Sequence, residues 1–203
     1  MRGIRTGGRS ARVRAAVLAA TIEEFVDSGY VELSIEGIAA RAGVNKTTIY
    51  RRWADREALL VDALSDWSGS TVSAPDTGSI EHDLVALAGS VVELLNSDLG
   101  RAVVGTVAAA RDRNPELVDA TMRFLAARGE LVTPLVQRGI ARGELPVDTD
   151  VAALLATLRA PLYYRIITTG EQLDETHARE SVAVALAAVR AGLLRTPDAG
   201  HST

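Results

Sequence analysis

Apolar residues recur three or four positions apart through most of the chain, from residue 12 to residue 194. This spacing places them on one face of an α-helix, and the strict alternation of apolar and polar residues that marks a half-buried strand is missing. Val13, Val17 and Ala20 follow the helical spacing in the first such segment. The pattern therefore predicts an all-α protein of about nine helices.

Capping residues mark the ends of four predicted helices that precede residue 68. An N-cap side chain accepts a hydrogen bond from an amide of the first turn, and a glycine after the last turn adopts the left-handed backbone that closes many helices. The first helix is expected to begin at Arg9 or Ser10. The expected N-caps of the next three helices are Ser34, Asn45 and Asp55. The expected glycine stops are Gly29 and Gly43.

A polar segment, SGSTVSAPDTGS at residues 68–79, separates these four helices from the rest of the chain. Its content of Ser, Pro and Gly is typical of a loop. The apolar spacing beyond it predicts five further helices. Their expected positions are 80–96, 99–112, 115–142, 149–168 and 174–194.

The net charge of −4 is distributed unevenly along the chain. Residues 1–60 carry ten basic and seven acidic side chains, a net charge of +3, whereas the remainder carries 12 and 19, a net charge of −7. A basic segment on an acidic body favours a polyanion-binding module joined to a part that repels polyanions. Chance scatter of charges accounts for a difference of this size equally well.

Composition excludes several classes of protein. The chain has no cysteine, so disulfides, thiolate metal sites and cysteine nucleophiles are excluded. Its apolar runs are far shorter than the roughly 20 residues that span a bilayer, and its basic N-terminus lacks the apolar core of a signal peptide. We therefore expect a cytoplasmic protein with no membrane partner.

The segment RAGVNKTTIYRRW, residues 41–53, has the form of a helix-turn-helix. Two short helices meet at a glycine, and the second begins with short polar and basic residues. A helix that enters the major groove of DNA needs such side chains to reach base edges and phosphates, and its N-terminal amides favour an anion. The candidate DNA-binding residues are Ser34, Lys46, Thr47, Thr48, Tyr50, Arg51, Arg52 and Arg56. A solvated helix face without a partner is the alternative.

Each residue type in this group suits a different contact. Threonine hydroxyls bond phosphate or touch a thymine methyl, and Tyr50 supplies a rigid hydroxyl. Arginine side chains form bidentate hydrogen bonds to phosphate or guanine, and Arg56 is placed to contact phosphate. The N-terminal arm is also basic, with Gly7-Gly8 as a flexible joint, so this arm either follows the DNA or is a disordered leader. The arm residues are Arg2, Arg5, Arg9, Arg12 and Arg14.

The stretch from Val17 to Leu64 resembles the N-terminal domain of the TetR family of bacterial transcriptional repressors. The resemblance is carried by the Phe25 and Gly29-Tyr30 end of the first helix, by the IAARAGV core and turn, and by TTIYRRWADREALL running into the fourth helix. Trp53 stands where phenylalanine is commoner. Glu36 occupies a position in the second helix where some relatives have a basic residue that contacts DNA. Because Glu36 is acidic, it is left out of the candidates.

This resemblance implies a ligand-responsive repressor that binds a palindromic, double-stranded operator as a homodimer. It implies a three-helix DNA-binding domain at 1–54 and a helical ligand-binding and dimerisation domain at 55–203, with the helix 55–67 linking the two. That helix is expected to carry ligand control to the DNA-binding domain.

LRAPLYYRIITTG, residues 158–170, resembles the penultimate helix of one subset of the family. In that subset the last two helices form a four-helix dimer interface, and small residues on them allow close approach. The expected interface residues are Leu154, Leu155, Leu158, Leu162, Val182, Ala185, Ala188, Val189 and Leu193. A purely intramolecular core is the alternative for these side chains.

An effector pocket is expected to be mainly aliphatic, because aromatic residues make up only 4% of the chain. It would suit a small apolar or amphipathic molecule with one polar end. The candidate ligand-binding residues are Trp67, Met122, Phe124, Tyr163, Tyr164 and Arg165. Each of these side chains is also consistent with a core or surface position.

Two rival functions are less consistent with the sequence. His82, His177 and His201 are far apart, and a set of Asp174, His177 and Glu180 would place all its ligands on one helix without a second element. We therefore expect no catalytic residues, no metal and no cofactor. The remaining alternative is an architectural or constitutive DNA-binding protein without ligand control, which a large acidic second domain argues against.

Overall fold

The computed structural model describes residues 7–69 and 75–196, and in these residues the regular structure is helical. A 3₁₀ turn, Arg111–Arg113, lies between the sixth and seventh α-helices, and Thr149 and Arg195 form an isolated antiparallel bridge. The α-helices are α1 Gly7–Glu32, α2 Ile35–Ala42, α3 Lys46–Tyr50, α4 Arg56–Gly69, α5 Ile80–Asn96, α6 Asp98–Ala110, α7 Pro115–Ala141, α8 Val151–Thr168 and α9 Glu175–Arg190. The all-α prediction is confirmed.

The first helix differs from its predicted form at both ends. It begins at Gly7, so Gly7 and Gly8 are helical residues and the expectation of a flexible joint there is wrong. Gly29 breaks the helix with φ 77°, as predicted, but helical hydrogen bonding resumes and continues to Glu32. Because glycine lacks a Cβ, it adopts this left-handed φ without steric cost.

The structure divides into two compact units. The first lies within Met1–Ser70 and Leu99–Ala126, and the second within Thr71–Asp98 and Ala127–Thr203. The chain therefore passes between the units at three points, and α4 is not the single connection that the sequence suggested. The functional boundary between residues 54 and 55 stays a prediction.

The core of the first unit is built on α1, which packs against α2 and α4. Phe25, Ile38 and Leu59 are completely buried there. With only five residues, α3 is too short to be stable alone. It is anchored by the fully buried Ile49 and by Trp53, whose ring nitrogen donates to Asp62 Oδ2 at 2.9 Å.

The core of the second unit lies among α5, α8 and α9, which pack against one another. This packing corrects the expected subunit interface. The side chains buried within the unit are Leu154, Leu155, Leu158, Leu162, Val182, Ala185 and Val189. They contact their own chain's core, so their assignment to a contact with a second subunit is wrong. Ala188 is half-buried, and Leu193 alone of the expected set is largely exposed, at 75%.

Polar contacts in the second unit join the start of α5 to the end of α7. The completely buried Asp83 accepts hydrogen bonds from the amide and hydroxyl of Thr77, both at 2.7 Å, and lies 3.6 Å from an Arg142 nitrogen. A Glu144 carboxylate oxygen accepts from the Ile80 amide at 2.7 Å, which satisfies a free N–H of the first turn of α5. These contacts fix the two helix ends against each other.

Candidate nucleic-acid interface

The turn between α2 and α3 has the geometry of a helix-turn-helix. The Ser34 hydroxyl caps α2 by accepting from the Gly37 amide at 3.1 Å. Gly43 ends that helix with φ 65° and ψ 34°, the predicted left-handed stop, and the Val44 amide bonds back to the Ala39 carbonyl at 3.0 Å. Asn45 then caps α3. The chain therefore reverses in a few residues and starts α3 at a fixed position.

The outer face of α3 is polar and carries one aromatic ring. Lys46, Thr47 and Tyr50 are exposed and Thr48 is half-buried. The hydroxyl of Thr47 donates to Asn45 Oδ1 at 2.9 Å, which holds its orientation at the start of the helix. Tyr50 is 52% exposed. These side chains are presented to solvent by a helix whose inner face is locked into the core.

Basic residues surround this face, with differing degrees of freedom. Lys46 lies 3.3 Å from a Glu36 carboxylate oxygen, but both side chains are more than half exposed, so the pair is weak. Arg51 and Arg52 are exposed just beyond α3, and Arg52 donates to the hydroxyl of Ser10 in α1. The face therefore offers cationic groups beside short hydroxyl side chains.

Arg56 is part of a partly buried contact as well as a candidate for binding phosphate. Its guanidinium lies 4.4 Å from the centre of the Tyr30 ring. Nη1 donates to the carbonyl of Leu33 at 3.0 Å and to that of Tyr30 at 3.3 Å, and Nε donates to Glu57 at 3.0 Å. In the described part of the chain Nη2 has no hydrogen-bond partner. It is therefore the guanidinium nitrogen that is left for the predicted contact with phosphate. That role stays a prediction.

Glu57 completes this contact by accepting from the Tyr30 hydroxyl at 2.9 Å. Burial, the largest influence, raises the pKa of Glu57, but hydrogen bonds from Tyr30, the backbone and Arg56 together lower the pKa below its ordinary value. Burial, followed by the bond to Glu57, raises the pKa of Tyr30 to about 12. The three side chains join the end of α1, the segment before α2 and the start of α4.

Two other arginines hold the first unit together by ion pairs. Arg14 lies 2.6 Å from Asp62 and 2.8 Å from Asp66, which connects α1 to α4. Arg41 lies 3.0 Å from Glu24, which connects α2 to α1. The expectation that Arg14 belongs to a free DNA-binding arm is therefore wrong. Arg2 and Arg5 lie outside the described residues, and Arg12 is exposed.

The effector candidates fall into both units. In the first, Trp67 lines a groove of about 240 Å³ between α1 and α4 with Leu18, Ile22 and Ala63. Phe124 packs against the core of the same unit, and Met122 is 55% exposed. The lining of the groove is mainly apolar, with Glu23 and Asp66 as its charged members, and an effector role for Trp67 stays a prediction.

The other three candidates are on α8 in the second unit. Tyr164 is 64% exposed, and Arg165 lies 3.1 Å from Glu171 and 3.6 Å from Glu180. Tyr163 is half-buried, and its electrostatic neighbours are Arg128 and Arg159. Sequence reasoning missed these two arginines because nothing in the spacing of residues 128 and 159 indicates that they come together.

The residues considered for a metal have a structural role. The Asp174 carboxylate accepts from the His177 amide, and the His177 ring nitrogen Nδ1 accepts from the Asp174 amide, both at 3.1 Å. This reciprocal capping box starts α9.

Among residues 7–69 and 75–196, no helix is long and apolar enough to cross a membrane.

Comparison with known proteins agrees with this geometry. Residues 17–63 match the model of bacterial regulatory proteins of the tetR family, and residues 74–185 match that of the tetracyclin repressor-like C-terminal domain. The chain is 32% identical to the DNA-binding transcriptional repressor TetR of Mycobacteroides abscessus, over 79% of this chain and 85% of the relative. It is 29% identical to the HTH-type transcriptional regulator AqdR of Rhodococcus erythropolis, over 91% and 88%.

A solved structure shows the same fold over most of its length. The crystal structure of the TetR family transcription regulator SCO0332 is 28% identical, with a TM-score of 0.70, covering 87% of this chain and 98% of that one. With family models that match both halves of the sequence and a helix-turn-helix at the expected place, the chain belongs to the TetR family of bacterial transcriptional regulators, with an N-terminal DNA-binding domain.

Proposed function

We propose that this protein is a ligand-responsive transcriptional repressor that binds a palindromic operator as a homodimer in the cytoplasm. The observation that carries the proposal is the exposed face of α3, where Thr47, Tyr50 and the adjacent Arg51 stand on a helix fixed by Asn45 and Ile49. A recognition helix needs to be held rigidly by the core while its polar side chains remain free to contact DNA.

DNA recognition is divided between two kinds of contact in this proposal. Thr47 and Tyr50 reach base edges in the major groove, and Arg51 and Arg52 neutralise phosphates on either side. Ser34 and Thr48 add hydroxyls close to the backbone, and Lys46 lies at the N-terminal end of α3, where the helix dipole also favours an anion.

Dimerisation uses the outer faces of α8 and α9 in this proposal. The buried stripes of both helices are occupied by the unit's own core, whereas Tyr164, Ile167 and Val184 are 64%, 55% and 55% exposed. The alanines exposed beside them are Ala156, Ala160, Ala183 and Ala187. Exposed apolar side chains among small residues permit close helix contact with a second copy. A two-fold dimer requires a palindromic site.

Effector control follows from a difference in affinity between two conformations. A small apolar or amphipathic ligand that prefers one conformation shifts the separation of the two recognition helices from the repeat of about 34–36 Å that DNA demands. The coupling is reciprocal, so operator DNA changes the affinity for the effector by the same factor. A constitutive or architectural DNA-binding protein is the second candidate, and it lacks this coupling.

Selection of bound duplexes from a random DNA pool tests the proposal. The expected product is a palindrome whose half-site centres lie about 10 base pairs, or a multiple of that, apart. An unenriched pool that the protein binds throughout would instead support the architectural alternative. The enriched duplex then serves as the operator in every binding measurement below.

A further inference from the structure

A chain of polar contacts ties the end of α3 to α1 and α4. Trp53, three residues after α3, is 7% exposed, and its ring nitrogen donates to Asp62 Oδ2 at 2.9 Å. The other oxygen of that carboxylate, Oδ1, accepts from Arg14 Nη2 at 2.6 Å. Trp53, Asp62 and Arg14 therefore form one link, the α3 link, in which Asp62 binds a partner with each of its oxygens.

The guanidinium of Arg14 holds Asp62 in a fixed direction. Its Nη1 atom donates to Asp66 Oδ1 at 2.8 Å, so its two terminal nitrogens bind two carboxylates that lie four residues apart on α4. A planar guanidinium bound to two acceptors has little freedom to rotate. The carboxylate that accepts from Trp53 is therefore oriented as well as close.

The α3 link supplies a directional contact that apolar packing does not. α3 has five residues, and Ile49 is its buried side chain. Apolar packing is non-directional and permits a short helix to rotate slightly, whereas hydrogen bonds weaken steeply when their angles change. The Asn45 cap fixes the first turn of α3, and the α3 link fixes the chain that leaves the helix. The orientation of α3 therefore depends on polar contacts at both of its ends.

The ion pairs of the α3 link are too exposed to stabilise the fold strongly. The side chains of Arg14, Asp62 and Asp66 are 39%, 34% and 46% exposed. Ion pairs at such positions contribute little to the free energy of unfolding. A role in orienting α3 therefore accounts for these contacts better than a role in stability.

Reading base pairs requires a more exact helix orientation than binding the DNA backbone does. Hydrogen bonds to base edges need donor–acceptor distances of about 2.7–3.2 Å and favourable angles. Attraction to phosphates instead extends over a Debye length, about 10 Å at roughly 0.1 M salt. A small rotation of α3 therefore lowers the affinity for the operator and leaves the affinity for other DNA almost unchanged.

We infer that Arg14, Asp62 and Trp53 are positioning residues for sequence recognition: they set the orientation in which α3 meets the base pairs and do not themselves contact DNA. The inference rests on the proposed function, in which α3 is the recognition helix. It gives Arg14 a role different from the DNA-binding arm that the sequence suggested. Breaking the link at any of its three members should have the same consequence.

Binding of Arg14→Ala, Asp62→Leu and Trp53→Phe to the selected operator and to a scrambled duplex, measured over a salt series, tests the inference. Each variant should bind the operator about tenfold more weakly and the scrambled duplex within about twofold of wild type. The salt slope should not change, because no phosphate contact is removed. Arg14→Lys keeps the charge and one donor, so it should lose about threefold. Arg123→Ala removes the same charge from an exposed position of the first unit and should leave both affinities unchanged.

Two further measurements separate positioning from stability. The double variant of Trp53→Phe and Asp62→Leu should bind the operator about as weakly as either single variant, because each change breaks the same link. Circular dichroism at the assay temperature measures the folded fraction, and a merely structural role would lower the affinity for both duplexes in proportion to that fraction. Losses that multiply in the double variant, or equal losses on both duplexes, overturn the inference.

The remaining outcomes distinguish this inference from the proposed function. A salt slope lower by about one for Arg14→Ala, with the specificity ratio kept, would show a phosphate contact in place of a positioning role. Full operator affinity in all three link variants, with a loss in Tyr50→Ala, removes the link and retains α3 as the recognition helix. Equal affinity of the wild-type protein for both duplexes removes the proposed function and the inference together.

Discussion

Arg56 has structural contacts besides the phosphate contact that the sequence predicted. Its guanidinium lies over the Tyr30 ring and bonds two carbonyls and Glu57, which leaves Nη2 for the predicted phosphate contact. Arg56→Ala should reduce operator and non-operator affinity alike, lower the salt slope by roughly one, and destabilise the first unit by about 1–3 kcal/mol. Arg56→Lys keeps the charge but loses the planar set of guanidinium donors. Compared with Arg56→Ala, it should therefore restore the salt slope more fully than the stability.

Fluorescence measures this stability selectively, because both tryptophans, Trp53 and Trp67, lie in the first unit. A variant that weakens DNA binding without any change in unfolding would mean that the buried contacts of Arg56 contribute nothing. The sequence predicted the position of Arg56 beside the DNA-binding helices. It did not predict the stacking on Tyr30, because a partner 26 residues away has no signal in a helical repeat.

The Tyr30–Glu57 pair gives the first unit a defined pH dependence. The pKa of Glu57 is lowered by folding, so its contribution is present above its unfolded value of about 4.3 and is lost as the pH falls through the folded pKa. The pKa of Tyr30 is raised to about 12, so its contribution is present below about pH 10 and is lost as the pH rises towards 12. Tyr30→Phe cannot ionise and should lack this alkaline loss, as followed by tryptophan fluorescence. An identical alkaline profile in the variant would contradict the pairing.

At the scale of elements, close contact between α7 and α5 depends on Gly139. A Cβ added at Gly139 would lie 2.9–3.1 Å from the Cδ1, Cγ1 and Cβ atoms of Ile80. The two helices would therefore have to move apart. Gly139→Ala should therefore cost about 1–3 kcal/mol. Gly129 is in the same helix with no neighbour within 4 Å, and Gly129→Ala should stabilise by roughly 0.5–1 kcal/mol. Chemical denaturation followed by circular dichroism compares the two, and equal effects would exclude the close contact.

The positions of the helices could be predicted from the sequence, but the partner that buries each helix face could not. The apolar repeat and the capping residues predicted α5 at 80–96, where the structure has Ile80–Asn96, the break at Gly29, and the stop of α2 at Gly43. The same repeat predicted apolar stripes on α8 and α9, and the family resemblance assigned them to a subunit contact, whereas the structure buries them in the core of their own unit. Periodicity shows that a face is buried, and it carries no information about whether the same chain or a second copy buries it.

At the scale of the whole molecule, this distinction changes the dimer experiment. Val184→Glu, on the exposed face of α9, should produce folded monomers, because a charge in the subunit contact would lack a partner. Val147→Glu is the matched control, since Val147 is 88% exposed and outside α8 and α9. Leu158→Glu, at a completely buried position, should instead unfold the second unit. Sedimentation of a Val184→Glu dimer indistinguishable from wild type would remove this face as the interface.

The central claim is that α3 reads sequence, and Tyr50 tests it most directly. Binding of wild type, Tyr50→Phe and Tyr50→Ala to the selected operator and to a scrambled duplex should be measured over a salt series, with helicity checked by circular dichroism. Tyr50→Ala is expected to lose about 1–3 kcal/mol on the operator and much less on the scrambled duplex, which narrows the specificity ratio. Tyr50→Phe separates the hydroxyl from the ring. Equal losses on both duplexes for folded Tyr50→Ala would contradict the placement of α3 in the major groove.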